Sequence, residues 1–249
     1  MDFSKIKIRA SSVGGIMTKS KDKGNAIGST CATKLVAIYT ELTTGRRKDL
    51  KNNYVEKGNS VEGQSIKLFN SLMGINSVKN EIKFENYFIT GTPDLILTKN
   101  GIKKIVDIKS KWDVHTFEES ILKGVIPQYY WQLQCYMWLT GAECSEIANC
   151  LVNTPINIIE KEKNRVKYEM MDSDDWKEEE SKEYIDASNN LEKSMLYYDI
   201  PQERRLFIQK VERNEKDIKK ISEKVENSRE WLINFDKKRA ENKKEWGVF

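Results

Sequence analysis

Residues 91–109 read GTPDLILTKNGIKKIVDIK, and this stretch predicts a β-hairpin at the centre of the fold. Asn100-Gly101 is a strong hairpin signal, because a two-residue type I′ turn needs positive φ at both central positions. Such a turn fixes the register of the two strands on either side of it. On that register Asp94 lies directly opposite Asp107.

Two carboxylates and one lysine would then meet on one face of the sheet. The Cβ atoms of opposed residues are about 4.5–5.5 Å apart, and like charges at that separation destabilise a sheet. The usual use of such a pair is to hold a divalent cation through hard oxygen ligands. Lys109 projects from the same face as Asp107, because side chains alternate along a strand.

This arrangement predicts metal-assisted hydrolysis of a phosphodiester. Asp94, Asp107 and the backbone carbonyl of Ile108 would hold Mg²⁺, for which Mn²⁺ can substitute. The metal would polarise the scissile phosphate and generate hydroxide from water. Lys109 would steady the attacking water or the developing negative charge. The alternative interpretation is an exposed hairpin that carries ordinary surface charges.

The composition is that of a soluble globular protein. The chain has 249 residues, of which 32% are charged and 39% are hydrophobic. No apolar run approaches the roughly 20 residues of a membrane span, and the N-terminus lacks the apolar core of a signal peptide, so we expect a cytoplasmic protein. The net charge of +4 comes from residues 201–249, where 14 Lys and Arg face 10 Asp and Glu. This balance permits binding to nucleic acid.

The apolar pattern predicts a mixed sheet wrapped by helices, and apolar residues on both faces of the hairpin predict that both faces are covered. Ser29 or Thr30 would cap the first helix. The predicted helices are 29–44, 59–73, 113–122, 127–140, 174–198 and one from 213 onward, and the predicted strands are 78–84, 86–91, 93–98, 102–109, 146–153, 165–171 and a short one at 207–208.

The hairpin resembles the active-site hairpin of the Pro-Asp…(Asp/Glu)-x-Lys nuclease superfamily. Three further segments resemble the lambda exonuclease and YqaJ-type phage recombination nucleases, in the same order along the chain. They are Ile8-Arg9-Ala10-Ser11-Ser12, Lys57-Gly58-Asn59-Ser60-Val61-Glu62 and Gln132-Leu133-Gln134-Cys135-Tyr136-Met137-Trp138. The one departure in the hairpin is Asp107, where many relatives carry Glu.

The resemblance assigns roles to four more residues. In the family a Gly opens a helix and a Glu one turn later joins the metal, which implies that Glu62 is a third metal ligand. A glutamine of the later helix would orient substrate or water. Gln132 is favoured over Gln134 because it forms an i, i+4 pair with Tyr136, and residues two apart do not share a helix face. Arg9 and Ser11 would grip a terminal 5′-phosphate.

The resemblance also implies an architecture and an activity. The fold would be an α/β restriction-endonuclease-like core over residues 1–210, followed by a charged helical C-terminal extension over 211–249. The activity would be processive 5′→3′ digestion of one strand of linear duplex DNA by a ring of three subunits. The protein would be encoded by a phage or prophage in a bacterial host, and its product strand would suit a single-strand annealing protein.

Two other functions stay open from the sequence. Cys31, Cys135, Cys144 and Cys150 loosely follow the order of cysteines in iron–sulfur nucleases of the same superfamily, although cluster ligands usually come in tight runs. A degenerate nuclease fold that only binds DNA as a recombination scaffold is the non-enzyme alternative. His115 is the only histidine, so a Ser-His-Asp hydrolase or a zinc enzyme would have to depend on it alone.

Overall fold

The computed structural model describes residues 1–21, 24–47, 52–171 and 181–245, and within these ranges it is a mixed α/β fold. The strands are β1 (Ile8–Arg9), β2 (Phe84–Glu85), β3 (Ile89–Gly91), β4 (Leu95–Lys99), β5 (Ile102–Ser110), β6 (Cys144–Cys150) and β7 (Leu206–Glu212). The helices are α1 (Ala10–Ile16), α2 (Ser29–Thr44), α3 (Asn53–Met73), α4 (Val114–Lys123), α5 (Pro127–Thr140), α6 (Ile156–Met171), α7 (Lys182–Met195) and α8 (Glu215–Glu245).

The predicted hairpin is confirmed as β4 and β5. Asn100 and Gly101 have φ of 53° and 81°, which is the backbone of a two-residue turn with positive φ at both positions. The antiparallel ladder runs from Lys99↔Ile102 to Leu95↔Val106, in the register that the turn predicts. The main sheet has the order β4-β5-β6-β7, with β5 parallel to β6 and the outer pairs antiparallel.

Both faces of this hairpin are covered, as its apolar pattern predicts. On one face Leu95, Val106 and Ile108 pack with Val61 and Phe69 of α3 in one buried cluster. On the other face a larger buried cluster forms around α5, α1 and the small sheet β1-β3-β2. Each large apolar side chain that is fully buried in this way stabilises the fold by roughly 1.5–3 kcal/mol, so the central strands are held firmly from both sides.

Helix α5 runs through the middle of the larger cluster. It begins at Pro127 and ends before Gly141, whose φ of 71° suits a glycine, as the sequence predicts. Leu133, Cys135 and Met137 are fully buried. Because such a helix has almost no solvated face, its polar residues must each find a partner inside the protein.

The C-terminal helix α8 packs on this core. Its buried face carries Ile221, Val225 and Leu232, which lie in the larger cluster. The guanidinium of Arg229 is buried and donates hydrogen bonds to the carbonyls of Ile6 and Tyr87, at 2.8 and 2.6 Å. These bonds tie α8 to the N-terminal segment and to the β2–β3 turn. The division of the chain at residue 210 stays a prediction.

The start of α3 differs from the prediction. The helix begins at Asn53 rather than at 59, because the Asn52 side chain caps it by accepting a hydrogen bond from Val55 N at 2.9 Å. Gly58 therefore lies inside the helix instead of opening it. The N-cap of α2 is Gly28, which makes no side-chain capping bond, so the predicted cap at Ser29 or Thr30 is wrong.

Two predicted strands are also wrong. Residues 78–83 form no strand, since their polar side chains bond locally, as when Asn80 bonds the carbonyls of Ile82 and Pro93. Residues 165–171 belong to α6, which buries Ile158 and Ile159 three turns earlier and exposes Tyr168. A run of only seven residues shows too little of this helical period to separate the two structures. Of the predicted helix 174–198 the structure contains Lys182–Met195, and residues 172–180 lie outside the described ranges.

Gly14 in α1 and Gly63 in α3 make a matched pair of stability tests. A Cβ on Gly14 would lie 2.7 Å from the backbone Cα of Gln128, whereas a Cβ on Gly63 meets nothing within 4 Å. Gly14→Ala should therefore destabilise the protein, by roughly 1–3 kcal/mol as in other overpacked cores. Gly63→Ala should stabilise it by roughly 0.5–1 kcal/mol. Urea unfolding of both variants tests this, and equal effects would contradict the close packing of α1 on α5.

Candidate active site

The two hairpin carboxylates lie at the open end of the β4–β5 ladder. The ladder ends at the Leu95↔Val106 pair, so Asp94 and Asp107 follow it directly on each strand. The Asp94 carboxylate accepts a hydrogen bond from the backbone N–H of Ile108 at 2.7 Å. This bond continues the hairpin through a side chain and fixes Asp94 against the strand that carries Asp107.

Lys109 shares a face with Asp107, as strand alternation predicts. Its Nζ lies 2.7 Å from Oδ2 of Asp107 and 4.9 Å from the centre of the Tyr129 ring. Burial of the Lys109 ammonium lowers its pKa, but the Asp107 carboxylate more than offsets this, so the net pKa lies above its ordinary value. Lys109 is therefore a charged lysine at neutral pH and suits an electrostatic role better than that of a proton acceptor.

Asp107 is almost completely buried, with 1% exposure. Its Oδ2 faces the Lys109 ammonium and has no other donor among the described residues. Its Oδ1 has only a long contact of 3.4 Å with Nε2 of Gln132. A buried carboxyl group with so few donors is unusual in a protein interior, and its oxygen lone pairs are available to another ligand.

Gln132 and Gln134 point to opposite sides of α5. Gln132 faces the carboxylates, and its Nε2 donates to the hydroxyl of Tyr136 at 2.9 Å, which is the i, i+4 pair that the sequence favours. Gln134 instead donates to the carbonyl of Glu212 at 2.7 Å and accepts from the N–H of Asn214. Gly91 makes room for this side of α5, since a Cβ there would lie 2.7 Å from the Tyr136 ring.

The crowding of the carboxylates appears in the pKa of Asp94. Burial and then the charge of Asp107 raise this pKa to about 7, although Lys109 and the Ile108 N–H act in the opposite direction. The charge of Glu62 adds a smaller increase. The site therefore contains a carboxyl group, that of Asp94, which loses its proton near neutrality.

Glu62 lies close enough to influence Asp94 but is bound to another partner. Its carboxylate forms an ion pair with Lys79, a residue that the sequence interpretation missed because it fell in a falsely predicted strand. Asn80 continues the same irregular segment and donates its N–H to the Asp94 carbonyl at 2.7 Å. Within the described ranges no three His, Cys, Asp or Glu side chains form a group that could hold a metal, so the three acids are neighbours rather than a closed ligand set.

Arg9 and Ser11 line one cavity of about 480 Å³ with Lys83 and Thr92. Thr92, which lines this cavity, is two residues before Asp94 in the sequence, so the segment that leads to Asp94 forms part of the cavity wall. The Arg9 guanidinium makes a two-pronged ion pair with Glu41, with Nη1 donating to Oε1 at 3.0 Å. Ser11 is exposed near the start of α1. The structure thus brings both residues to one cavity, with Arg9 already paired.

The cysteines do not gather in one place. Cys135 lies in the larger buried cluster and Cys150 in the cluster on the opposite face of the hairpin. This separation opposes the iron–sulfur alternative, which needs its ligands around one centre. His115 is exposed on α4.

The sequence profile of the YqaJ-like viral recombinase domain matches residues 7–143, which include every candidate site residue. The chain belongs to this family. No curated protein sequence matches the chain significantly.

Solved structures agree with the family assignment. The chain is similar to a phage-related exonuclease from Haemophilus somnus 129PT, with 25% identity, a TM-score of 0.73, and 94% of this chain and 97% of that chain covered. It also shares its fold with the alkaline exonuclease LHK-Exo from Laribacter hongkongensis, with 16% identity, a TM-score of 0.61, and 95% and 94% covered. LHK-Exo in complex with dAMP gives 17% identity and the same TM-score of 0.61. None of the helices in the described ranges has the length and apolar character needed to cross a membrane.

The raised pKa of Asp94 predicts how stability depends on pH. The folded protein binds the Asp94 proton more tightly than the unfolded chain, so stability should fall as the pH rises from 3.8 through about 7. Asp94→Asn keeps an acceptor for the Ile108 N–H and should remove this part of the fall, on the order of 1 kcal/mol or more. Urea unfolding in chelator at about pH 5 and about pH 8 measures it.

Asp186→Asn, which removes an exposed carboxylate on α7, is the control for this measurement. The control should behave as the wild-type protein does. If the stability of Asp94→Asn declines between about pH 5 and about pH 8 as steeply as that of the wild-type protein and of the Asp186→Asn control, Asp94 does not titrate in this range.

Proposed function

We propose that the protein is a Mg²⁺-dependent exonuclease that digests one strand of linear duplex DNA from its 5′ end and leaves single-stranded overhangs for recombination. The convergence of Asp94, Asp107 and Lys109 at the open end of the hairpin carries this proposal, because these are the groups that metal-assisted phosphodiester hydrolysis requires. Membership of the YqaJ-like family and likeness to phage-related exonucleases support it.

The residues at the site fit a hard cation such as Mg²⁺, for which Mn²⁺ can substitute. Oδ2 of Asp107 is buried with the Lys109 ammonium as its one donor among the described residues, and the charged form of Asp94 is disfavoured by burial. Both features would be relieved by a cation with oxygen ligands. Asp94, Asp107 and the carbonyl of Ile108 would hold the cation. Glu62 would become a further ligand if its ion pair with Lys79 were broken. When bound, the metal would polarise the phosphate and lower the pKa of an attacking water.

The remaining groups would position and stabilise the reacting phosphate. The Lys109 ammonium, kept charged by Asp107, would stabilise the negative charge that develops on the phosphoryl oxygens. Gln132 would orient the water or the substrate through its amide, which Tyr136 holds in place. In the smaller cavity Arg9 and Ser11 would bind the terminal 5′-phosphate, with the Arg9 guanidinium as the charged donor.

Assembly and partners follow from the family alone. A closed ring of three subunits would keep a processive nuclease on its track, and homo-oligomers favour closed symmetry. A single-strand annealing protein would take the product strand, in the cytoplasm of a bacterial host of the phage or prophage. The scaffold alternative would bind DNA without cleaving it, although the acid, acid and lysine of the hairpin are all present.

Two hairpin variants separate metal binding from chemistry. Asp107→Asn should abolish cleavage, by at least about 10²-fold, and should weaken the rise in melting temperature that Mg²⁺ produces, because a metal ligand is lost. Lys109→Ala should also abolish cleavage yet keep much of the metal-induced stabilisation. Lys99→Ala, an exposed lysine on the same hairpin, is the control and should stay active.

Digestion of end-labelled duplex and thermal unfolding with Mg²⁺ or with chelator provide these readouts. Digestion by Asp107→Asn at near the normal rate would refute the two-carboxylate metal site. A wild-type protein that binds duplex DNA but leaves it intact in Mg²⁺ would favour the scaffold alternative.

Arg9→Ala tests recognition of the DNA end. It should slow digestion of 5′-phosphorylated duplex far more than digestion of 5′-hydroxyl duplex, because only the former offers the dianion that Arg9 would bind. Arg204→Ala is the matched control, because it removes an exposed arginine that does not line the cavity of Arg9 and Ser11. If Arg9→Ala slows both substrates equally, the segment does not recognise the phosphate.

A further inference from the structure

A second and larger cleft lies between α2 and α3. Its volume is about 1510 Å³, and Arg9 contributes to both this cleft and the smaller cavity. Hydroxyl and amide side chains line much of it, among them Ser29, Thr33 and Asn59. Asn59 precedes Glu62 by about one turn of α3. The cleft therefore adjoins the candidate active site along α3 and has a largely polar lining.

Positive charge exceeds negative charge in this cleft. Of the residues that the structure describes, four cations and two carboxylates line it: Arg9, Lys34, Arg47 and Lys161 against Glu41 and Glu56. Each carboxylate already has a partner, since Arg9 holds Glu41 and Lys161 lies 2.6 Å from Glu56.

Among the described residues, neither Lys34 nor Arg47 forms an ion pair with a carboxylate of the cleft, since Glu41 pairs with Arg9 and Glu56 pairs with Lys161. Burial first, and then the charges of Arg9 and Arg47, lower the pKa of Lys34, while Glu41 only partly opposes them.

The Lys34 side chain is held in position by α1. A Cβ on Gly15 would lie 3.2 Å from Cγ of Lys34, so the aliphatic stem of the lysine packs closely on that helix. Its ammonium group is half-buried and forms no ion pair with a described residue, and the nearby charges of Arg9 and Arg47 outweigh that of Glu41. A fixed and unbalanced cation of this kind is stabilised when an anion enters the cleft.

We propose that this cleft binds the phosphodiester backbone of the DNA substrate, with Lys34 as its central phosphate contact. The proposal rests on the proposed function and names a further subsite for the same substrate. A backbone fits because it supplies successive single negative charges, matched by Lys34 and Arg47, and because the hydroxyl and amide lining offers further contacts to phosphate and sugar. The subsite would bind internal phosphates and would not distinguish one DNA end from another.

Binding of duplex DNA in chelator, on an Asp107→Asn background, tests the cleft without cleavage. Each phosphate contact contributes about 0.9 to the slope of log affinity against log salt concentration. Lys34→Ala should lower that slope by about 1 and weaken binding equally for 5′-phosphorylated and 5′-hydroxyl duplexes. Lys34→Arg should keep the slope. Lys219→Ala, which removes an exposed lysine on α8, is the matched control and should leave both quantities unchanged.

Glu41→Gln gives a prediction of opposite sign. It removes negative charge from the cleft and releases Arg9, so duplex binding should tighten and its salt dependence should become steeper. Thermal unfolding of every variant verifies the fold. A Lys34→Ala protein with the slope of the Lys219→Ala control would overturn the subsite, and so would a loss confined to 5′-phosphorylated duplex. Failure of the wild-type protein to cleave would instead refute the nuclease and leave these binding results to stand.

Discussion

The close approach of two carboxylates at the end of one hairpin is the constraint on which the rest of the site depends. Two like charges in a protein interior repel, and burial further disfavours the charged form of Asp94. The fold supplies two compensating contacts, the Ile108 N–H to Asp94 and the Lys109 ammonium to Asp107. Apolar clusters on both faces of the sheet hold the strands in register against the repulsion that remains.

Helix α5 connects the hydrophobic core to this pair of acids. Its apolar residues are part of the larger cluster, while Gln132 and Tyr136 face the carboxylates from the same helix. On its other side Gln134 bonds the β7–α8 connection through Glu212 and Asn214. A shift of α5 would therefore disturb the core, the site and the C-terminal helix together. The absence of a side chain at Gly91 lets the helix approach the strand that leads to Asp94.

Features set by neighbouring residues in the sequence could be predicted, and features set by tertiary contacts could not. The hairpin register follows from Asn100-Gly101, and the limits of α5 follow from a proline and a glycine. The ion pair of Glu62 with Lys79 joins residues 17 positions apart through an irregular segment, and no periodicity indicates it. The prediction of a strand at 165–171 was wrong, because these residues are helical and a run this short cannot show a helical period.

The lysines and arginines around the site differ in how their charge is balanced, and this difference suggests what each one does. Lys109 and Lys79 each face a carboxylate, so their charges serve to organise the acids of the site. Lys34 and Arg47 lie in a cleft whose carboxylates are already paired with other cations. Since unbalanced charge in a half-buried place is unfavourable, it persists most readily where a ligand of opposite charge binds during function. By this reasoning Lys109 and Lys79 serve the chemistry of one phosphate, and the half-buried Lys34 suits the binding of the strand that carries it.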